Sequence, residues 1–370
     1  MTTPYTPLCS NVTGLQRPNI NVPVDGDLDQ AAIYSPELQT LADYEEYLLN
    51  QLWVGQVSTW QGFSFSGGAF VPSSLCAGYA AGLSNTVALV ATMLDTSNQI
   101  YTQSILGSGA WTARTANVGT AGLKYVAFNG SLFVAVGLTN GTTAAITTSS
   151  DGVTWTLRTT GVPGSSSSLN KVIWVSSLSL WVAVGASGLI LTSPDGITWT
   201  SRTGAGSTTL TNVAFGNGTL IAGNSTALYT STDAVTWTSQ TNPSIALNAP
   251  DAVVYNSALG LWLTEAANHT AFKSSTDGIT WTSRTAPTTT NARNLFLAVG
   301  RLTVAVEATS NIVWTTLDGL TWTPRYPVYS GQVPSGALSF GTKAPNGSLV
   351  ALDSNTPNNR IFYSCPIITP

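Results

Sequence analysis

One short motif recurs along this 370-residue chain and constrains its fold more than any other feature. Each copy places an acid, a small residue, a variable residue, Thr and Trp in a row, and the copies lie about 40 residues apart, as in repeat proteins. Five copies are well preserved: SSDGVTWTLR (149–158), SPDGITWTSR (193–202), STDAVTWTSQ (231–240), STDGITWTSR (275–284) and TLDGLTWTPR (316–325). Their acids and tryptophans are Asp151, Trp155, Asp195, Trp199, Asp233, Trp237, Asp277, Trp281, Asp318 and Trp322. We call these five segments the Asp-Trp hairpins.

The segments between the motifs predict the fold class. Each contains short runs rich in Val, Ile, Phe, Thr and Trp, separated by turn residues, which is typical of β-strands. Four strands in a unit of about 40–45 residues are typical of one blade of a β-propeller. The first strands of successive units begin near Cys76, Tyr125, Val172, Val213, Val253, Leu295 and Leu338. The sequence therefore predicts an all-β, seven-bladed β-propeller of four-stranded blades.

The two ends of the repeated region predict how the ring closes. The last unit supplies only three strands before the chain ends, while a spare strand around Trp60 stands at residues 57–65. We expect this N-terminal strand to complete the last blade, because closure removes an open sheet edge. The predicted domains are residues 1–55, an arm with a helix, and residues 56–370, the propeller.

The residues of the repeated motif are interpreted from the fact that they recur in each unit. In each hairpin, the Asp is expected to accept hydrogen bonds from turn N–H groups, and the following Gly allows a positive φ. The Trp ring is expected to cover the gap between neighbouring blades. A recurrent Arg after the Trp is interpreted as a brace at a strand end or on an aromatic ring; its copies are Arg114, Arg158, Arg202, Arg284 and Arg325. These residues are therefore predicted to be structural and not catalytic.

The motif S-x-D-G-x-T-W also resembles a known repeat. It is similar to the Asp-box (BNR) repeat of sialidase-like propellers, of photosystem II assembly factors and of many bacterial and phage propellers. The common sialidase form has one more residue, S-x-D-x-G-x-T-W, so the copies in this chain are shortened. The resemblance covers about residues 57–365 and implies the propeller fold, but many activities share that fold.

The composition narrows the classes of partner. Only 8% of the residues are charged, the net charge is −4, and no cluster of Lys and Arg is present to neutralise phosphates. Nucleic acid is therefore not expected as a partner. No uninterrupted apolar run is long enough to span a membrane.

The three cysteines indicate neither a zinc site nor a required disulfide. Cys9, Cys76 and Cys365 are too scattered for a zinc site. A disulfide between Cys76 and Cys365 is conceivable in a closed ring, and buried free thiols are the favoured interpretation.

Few residues remain that could form an active site once the hairpins are set aside. The remaining acids of the propeller are Asp95, Asp251, Glu265, Glu307 and Asp353, and the remaining cations that could serve a sialidase are Arg293, Arg301 and Arg360. The Tyr–Glu pair of a sialidase is not found. A glycosidase carboxylate pair among Asp95, Glu265 and Glu307 stays open, since the sequence does not give their separation. His269 has no second His or acid cluster beside it. We predict no catalytic, cofactor or metal residues.

The N-terminal segment differs from the propeller. The stretch SPELQTLADYEEYLLNQLW predicts a helix, with Ser35 as N-cap and Pro36 at the first helical position. Its apolar stripe consists of Leu38, Leu41, Leu48 and Leu52. The stripe is too short for a stable free coiled coil, so the helix is expected to need a partner surface. Packing of this helix against the side of the propeller is the alternative interpretation.

A second resemblance concerns this arm. The stretch INVPVDGDLDQAAIYSPELQTLADYEEYLLNQL is similar to N-terminal segments of tailed-phage virion proteins, in which the segment anchors a fibre, spike or decoration domain, commonly as a trimer. The resemblance implies a non-enzymatic protein on the surface of the phage particle, bound to other virion proteins through its arm. Its propeller would be a capsid or tail decoration or a head that binds a host-surface glycan. The alternatives are a sialidase-like depolymerase and an intracellular scaffold.

Overall fold

The computed structural model describes most of the repeated region. The described residues are 59–64, 72–80, 86–93, 97–104, 111–139, 141, 143–159, 168–203, 205–241, 244–249, 251–284, 291–307, 310, 312–325, 328–331, 338–343, 349–353 and 360–364. Within them the regular structure is β-strand, apart from two short 3-10 helices at Ser176–Leu178 and Ala186–Gly188. The predicted arm and its helix, with Leu38, Leu41, Leu48 and Leu52, lie outside the described residues.

The described chain begins with β1 (Thr59–Ser64) and continues into six four-stranded antiparallel sheets, each with its strands in sequential order. Sheet I contains β2 (Pro72–Ala80), β3 (Thr86–Met93), β4 (Gln99–Ser104) and β5 (Thr112–Thr115). Sheet II contains β6 (Leu123–Phe128), β7 (Phe133–Thr139), β8 (Ala144–Ser149) and β9 (Thr156–Arg158). Sheet III contains β10 (Leu169–Val175), β11 (Leu180–Gly185), β12 (Ile190–Ser193) and β13 (Thr200–Arg202).

The next three sheets repeat the same order. Sheet IV contains β14 (Asn212–Gly216), β15 (Thr219–Gly223), β16 (Leu228–Ser231) and β17 (Thr238–Gln240). Sheet V contains β18 (Val254–Asn256), β19 (Leu261–Glu265), β20 (Phe272–Ser275) and β21 (Thr282–Ser283). Sheet VI contains β22 (Arg293–Val299), β23 (Leu302–Glu307), β24 (Val313–Thr316) and β25 (Thr323–Arg325).

A further sheet joins the two ends of the repeated region. Its strands are β1, β26 (Val328–Gly331), β27 (Leu338–Lys343), β28 (Leu349–Asp353) and β29 (Arg360–Ser364). The N-terminal strand β1 pairs antiparallel with β29, as the sequence predicted. The prediction of four strands was wrong for this sheet, because β26 pairs parallel with the other edge of β1. That pairing satisfies backbone groups that would otherwise form an open edge.

The sheets are arranged as a β-propeller. The first strand of each sheet contacts the first strand of the next, from β2 to β22, and β27 contacts both β22 and β2. Apolar clusters fill the gaps between neighbouring sheets. Trp199 of sheet III, for example, packs with Val134 and Val136 of sheet II. Trp155, Trp237 and Trp322 lie in the corresponding clusters with sheets I, III and V. The core of the molecule is therefore a series of interfaces between sheets.

Chain direction defines two ends of the propeller. The hairpin end carries the turns between third and fourth strands, where the Asp-Trp hairpins lie. At the opposite end, first strands begin and second strands finish. Several first strands share a register shift at their start, at Pro72/Ser74, Leu123/Tyr125, Leu169/Lys171 and Arg293/Leu295. A β-bulge of this kind turns a side chain away from its regular direction. At the opposite end of the propeller, these bulges therefore change the direction in which side chains point.

Candidate functional site

The Asp-Trp hairpins are closed hydrogen-bonded turns. In the hairpin of sheet III, Asp195 Oδ1 accepts hydrogen bonds from the N–H groups of Ile197 and Thr198, both at 2.8 Å. The Ser193 hydroxyl donates to the same oxygen at 2.9 Å and accepts from the Gly196 N–H at 2.8 Å. Equivalent bonds occur at Asp151, Asp233, Asp277 and Asp318. The backbone N–H of Thr198 is the main group that lowers the pKa of Asp195, to about 2. Donors aimed at the ionised carboxylate hold it in the charged form.

Several of the other repeated side chains also have local partners. The Trp199 and Trp237 indole N–H groups donate to the carbonyls of Gly196 and Ala234 in their own turns, at 3.1 and 3.2 Å. The Arg202 Nε donates to the Thr192 hydroxyl on the preceding strand at 2.8 Å. Arg114, Arg158, Arg284 and Arg325 do the same with hydroxyls of their own sheets. Trp281 is only half-buried, unlike the other hairpin tryptophans. These bonds hold each turn together and join the fourth strand to the third.

A polar cluster crosses the middle of the propeller at the opposite end. The Tyr125 hydroxyl donates to Asp251 Oδ1 at 2.6 Å, although these residues belong to sheet II and to the segment before sheet V. The Lys171 Nζ lies 3.5 Å from the same oxygen and donates to Asn212 Oδ1 at 3.2 Å. It also lies 5.3 Å from the centre of the Tyr125 ring. Because sheets II and V are not neighbours, these contacts span the ring, and we call the four residues the axial cluster.

Burial governs the proton equilibria of the axial cluster. It raises the pKa of the Tyr125 hydroxyl well above its usual range, and the charge of Asp251 adds to that effect. Burial lowers the pKa of Lys171, while Asp251 acts in the other direction. Nearby Cys76 is a buried free thiol whose pKa burial raises to about 12. Lys171 and Asp251 form an ion pair within the cluster. Cys76 stays a protonated thiol.

A chain of hydrogen bonds surrounds the axial cluster and links consecutive sheets. The Ser73 hydroxyl donates to the Leu123 carbonyl, and the Lys124 Nζ donates to Asn170 Oδ1 at 2.6 Å. The Asn170 side-chain amide in turn donates to the Leu210 carbonyl at 2.7 Å. Ser73, Lys124 and Asn170 are the extra residues of three β-bulges. The bulges thus direct polar side chains from one sheet towards the next, where their hydrogen bonds link the two sheets.

A second buried network joins sheets V and VI at the same end. The Arg293 Nη1 donates to Glu265 Oε2 at 3.1 Å, and its Nη2 donates to Glu307 Oε1 at 3.0 Å. All three side chains are buried, with exposed side-chain fractions of 0–1%. The Arg293 backbone N–H donates to Glu265 Oε1 at 2.7 Å. Glu307 Oε1 also accepts from the Trp314 indole at 2.8 Å. We call Glu265, His269, Arg293 and Glu307 the Arg293 network.

His269 forms the edge of this network. Its Nδ1 lies 2.7 Å from Glu265 Oε1, and Arg293 Nη1 donates to the His269 carbonyl at 3.2 Å. The backbone of His269 has a φ of 59°, a left-handed conformation that His adopts more often than most residues other than Gly. Burial raises the pKa of the Glu265 carboxyl, and the Arg293 N–H and His269 oppose that shift. The network therefore fixes the loop that carries His269 between β19 and β20.

The network changes the interpretation of the candidate catalytic acids. The sequence left Glu265 and Glu307 open as a glycosidase pair, and the structure does bring them together. The Arg293 guanidinium, however, occupies the space between the two carboxylates, where a scissile bond would have to lie. Asp95 lies outside the described residues. Sequence reasoning did not pair Arg293 with Glu265 and Glu307, which requires the register of β22 with β23 and the packing of sheet V on sheet VI. It also did not pair Tyr125 and Lys171 with Asp251, because these contacts join repeats that are distant in sequence.

A groove lies beside the loop that the Arg293 network holds. It has a volume of about 460 Å³ and is open to solvent. Its lining consists of Ser244, Ala266, Ala267, Asn268, Thr270, Ala271, Lys273 and Ser283. Ser244, like His269, has a positive φ, at 59°. The volume of this groove and its hydroxyl, amide and ammonium lining groups make it the candidate binding site of the described region.

In the described ranges, no three or more His, Cys, Asp or Glu side chains are grouped as a metal ion would require. Among those same residues, no helix has the length and apolar character needed to cross a lipid bilayer.

These features define a β-propeller. A family model described as the DUF6242 beta propeller domain matches residues 107–241 of the chain. Those residues run from the outer strand of sheet I to the end of sheet IV. No curated protein sequence matches the chain.

Solved structures share the fold at low sequence identity. A streptogramin B lyase is 12% identical with a TM-score of 0.64, over 82% of this chain and 96% of the lyase. A virginiamycin B lyase from Staphylococcus aureus is 12% identical with a TM-score of 0.61, over 82% and 98%. YCF48 bound to D1 peptide is 13% identical with a TM-score of 0.58, over 84% and 95%. These proteins differ in function, so the similarity establishes the propeller fold alone.

Proposed function

We propose that this chain is a non-enzymatic structural protein of a tailed-phage particle, with an Asp-box propeller that acts as an outward-facing binding head. In this proposal, residues 1–55 attach the head to other virion proteins, and the attached form is a homo-oligomer, most simply a trimer. The arm supports the proposal through its resemblance to virion anchoring segments. The propeller would decorate the capsid or tail, or bind a host-surface glycan.

The Arg293 network is the observation that carries the non-enzymatic part of the proposal. A glycosidase needs two carboxyl groups that face the scissile bond from opposite sides. Here Glu265 and Glu307 both bind one buried guanidinium, and Glu307 also accepts from the Trp314 indole. The carboxylate oxygens of Glu265 and Glu307 are therefore bound to groups of the protein itself. The groove beside them offers hydroxyl, amide and ammonium groups, which suit binding.

The proposal includes a seven-bladed ring closed by the N-terminal strand. It is supported by the circular order of first-strand contacts and by the pairing of β1 with β29. Truncation tests this closure. Removing residues 1–30 should leave the thermal unfolding temperature nearly unchanged, whereas removing residues 1–66 deletes β1 and should lower it strongly. Equal unfolding temperatures for the two truncations would refute closure by β1.

Composition of the particle tests the assigned role. We expect the protein in density-purified phage particles at a fixed copy number, detected by mass spectrometry, and its loss from particles when residues 1–55 are deleted. The depolymerase alternative predicts release of reducing ends from host polysaccharide by the purified protein. Protein found only in soluble cell extract, or reducing-end release that a Glu265→Gln variant abolishes, would overturn the proposal.

A further inference from the structure

Two turns at the hairpin end contain the same dipeptide, Asn-Gly, but the structure folds them differently. Asn217 and Gly218 form a two-residue loop that joins β14 to β15. Asn129 and Gly130 open a four-residue loop, residues 129–132, that joins β6 to β7. Because the dipeptide is identical, a difference in the chemistry of the two asparagines has to come from the turns that hold them.

The turn at Asn129 binds the side chain of its asparagine. Asn129 Oδ1 accepts hydrogen bonds from the Ser131 N–H at 2.9 Å, the Ser131 hydroxyl at 3.1 Å and the Leu132 N–H at 2.8 Å. The Asn129 N–H also donates to the Leu132 carbonyl at 3.2 Å. An asparagine that accepts from N–H groups further along its own turn stabilises that turn. The Asn129 side chain is therefore fixed.

The turn at Asn217 leaves its asparagine side chain unbound. Among the residues that the structure describes, Asn217 is exposed and its side-chain amide makes no hydrogen bond. Its φ of 49° and the φ of 74° at Gly218 are typical of a type I′ turn. The space around Gly218 is open, since a Cβ there would meet nothing within 4 Å. The side-chain amide of Asn217 can therefore move relative to the Gly218 backbone nitrogen.

We propose that Asn217 is a site of spontaneous deamidation. The Gly218 backbone nitrogen attacks Asn217 Cγ, so that an N–Cγ bond forms and the Cγ–Nδ2 bond breaks. The nitrogen of the side-chain amide leaves as ammonia and takes up the proton of the Gly218 N–H. Water then opens the cyclic imide. Attack of water at Cγ gives Asp, and attack at the backbone carbonyl gives isoaspartate. Either product carries a carboxylate in place of the neutral amide.

The hydrogen bonds of the two turns determine which asparagine reacts. Closure of the imide requires the asparagine backbone to leave its turn conformation, so the reaction proceeds from a locally opened loop. Opening of the loop at Asn217 breaks no side-chain hydrogen bond, whereas opening at Asn129 breaks three. Each such bond reduces the population of the opened loop. The same dipeptide is therefore reactive in sheet IV and protected in sheet II.

The modification would change the hairpin end of sheet IV. The loop at 217–218 sets the pairing of β14 with β15. Isoaspartate adds a methylene group to the main chain inside this loop, so it should disturb the pairing, whereas Asp keeps the length of the main chain. Both products add a negative charge to an end of the propeller that already carries the aspartates of the Asp-Trp hairpins.

Peptide mapping of the full-length protein tests the site. The folded protein is incubated at mildly alkaline pH, sampled over time and cleaved with chymotrypsin at acidic pH, which places Asn217 and Asn129 in separate peptides. Mass spectrometry measures the deamidated fraction of each peptide, and fragmentation distinguishes isoaspartate from Asp. We expect Asn217 to react at least about fivefold faster than Asn129, because of the three hydrogen bonds that hold Asn129.

A variant and an unfolded control separate the effect of the turn from that of the dipeptide. Ser131→Ala removes the hydroxyl that donates to Asn129, and should raise the rate at Asn129 severalfold while the rate at Asn217 stays the same. In urea, where both turns are lost, the two wild-type rates should become similar. Circular dichroism establishes that the variant is folded. Equal rates in the folded protein, faster reaction at Asn129, or a rate difference that persists in urea would overturn the inference.

Discussion

The two ends of the propeller use polar groups in different ways. At the hairpin end, five aspartates accept the same backbone hydrogen bonds in five turns, and each remains close to solvent. At the opposite end lie the buried charged side chains of the described region, Lys171, Glu265, Arg293 and Glu307, each in an ion pair between particular residues of the ring. The repeated end therefore builds the fold, while the opposite end makes individual sheets different.

The difference has a physical basis. An exposed aspartate that accepts N–H bonds within its own turn needs no other sheet, so the same solution can be copied along the chain. A buried ion must find its counter-ion and further donors, since desolvation of an isolated charge costs several kcal/mol. Such a set can only be completed across particular sheets. Mutations at the two ends should therefore have effects of different size.

The largest effect is expected at the Arg293 network. Arg293→Met removes the cation and leaves two buried carboxylates without their partner, which should lower the free energy of unfolding by about 3–5 kcal/mol. Urea denaturation followed by tryptophan fluorescence measures this loss. The triple variant Arg293→Met, Glu265→Gln, Glu307→Gln should recover part of it. A loss below about 1 kcal/mol in the single variant would show that the network does not hold sheets V and VI together.

A smaller effect is expected from the turn glycine of an Asp-Trp hairpin. Gly196 has a φ of 74°, and a Cβ there would lie 2.7 Å from the end of the Leu132 side chain. Gly196→Ala should cost about 1–2 kcal/mol, from the left-handed conformation and this close approach. Ala234 occupies the same position in sheet IV at a φ of 60°. Ala234→Gly should change the free energy of unfolding by less than about 1 kcal/mol. The strain of a non-Gly residue at this positive φ is removed, but a buried methyl group is lost. Equal costs for both changes would contradict this account.

The hairpin carboxylate should make stability depend on acid pH. Asp195→Ala removes the acceptor of two backbone N–H groups and one hydroxyl, and should cost about 1–2 kcal/mol at neutral pH. In the wild-type protein, the pKa of Asp195 is lowered to about 2, so its contribution is present above the unfolded-state pKa near 3.8. That contribution is lost as the pH falls towards 2. The stability difference between wild type and Asp195→Ala should therefore shrink between pH 4 and pH 2, as measured by urea unfolding at each pH. If the stability difference between wild type and Asp195→Ala stays constant over this pH range, ionisation of the Asp195 carboxylate is not the source of the stabilisation.

The smallest effect is expected at a recurrent arginine. Arg158 donates from Nε to the Thr148 hydroxyl at 2.8 Å on the surface of sheet II. In sheet IV a neutral side chain does the same, since Gln240 donates to the Thr230 hydroxyl at 2.9 Å. Arg158→Gln should therefore change the unfolding free energy by less than about 0.5 kcal/mol, in the range of exposed pairs. A loss above 1 kcal/mol would indicate that the positive charge itself is required.

Much of the propeller could be predicted because its rules are local. The spacing of Trp155, Trp199 and Trp237 predicted the period, and the strands begin close to the predicted first-strand positions. The missing strand of the last unit also pointed to β1. By contrast, β26 was not predicted, because its pairing depends on which edge of β1 remains open in the folded protein. The arm at residues 1–55 and its leucines stay a prediction, as does the role in a phage particle.

The contacts of the candidate site could not be predicted from the sequence in the same way. The sequence left Glu265 and Glu307 as unexplained acids and Arg293 as an unexplained cation, but it could not pair them. No spacing in the chain relates Tyr125 to Asp251, which meet across the middle of the ring.

The sequence by itself determined the repeated unit: its strands, its Asp-Trp turns and the tryptophans that fill the gaps between sheets, since each depends on residues close together in the chain. Only the tertiary structure decided which buried charges neutralise one another and where a groove remains. Those outcomes depend on distances between sheets that are remote in sequence, and electrostatic free energies change steeply with distance and burial.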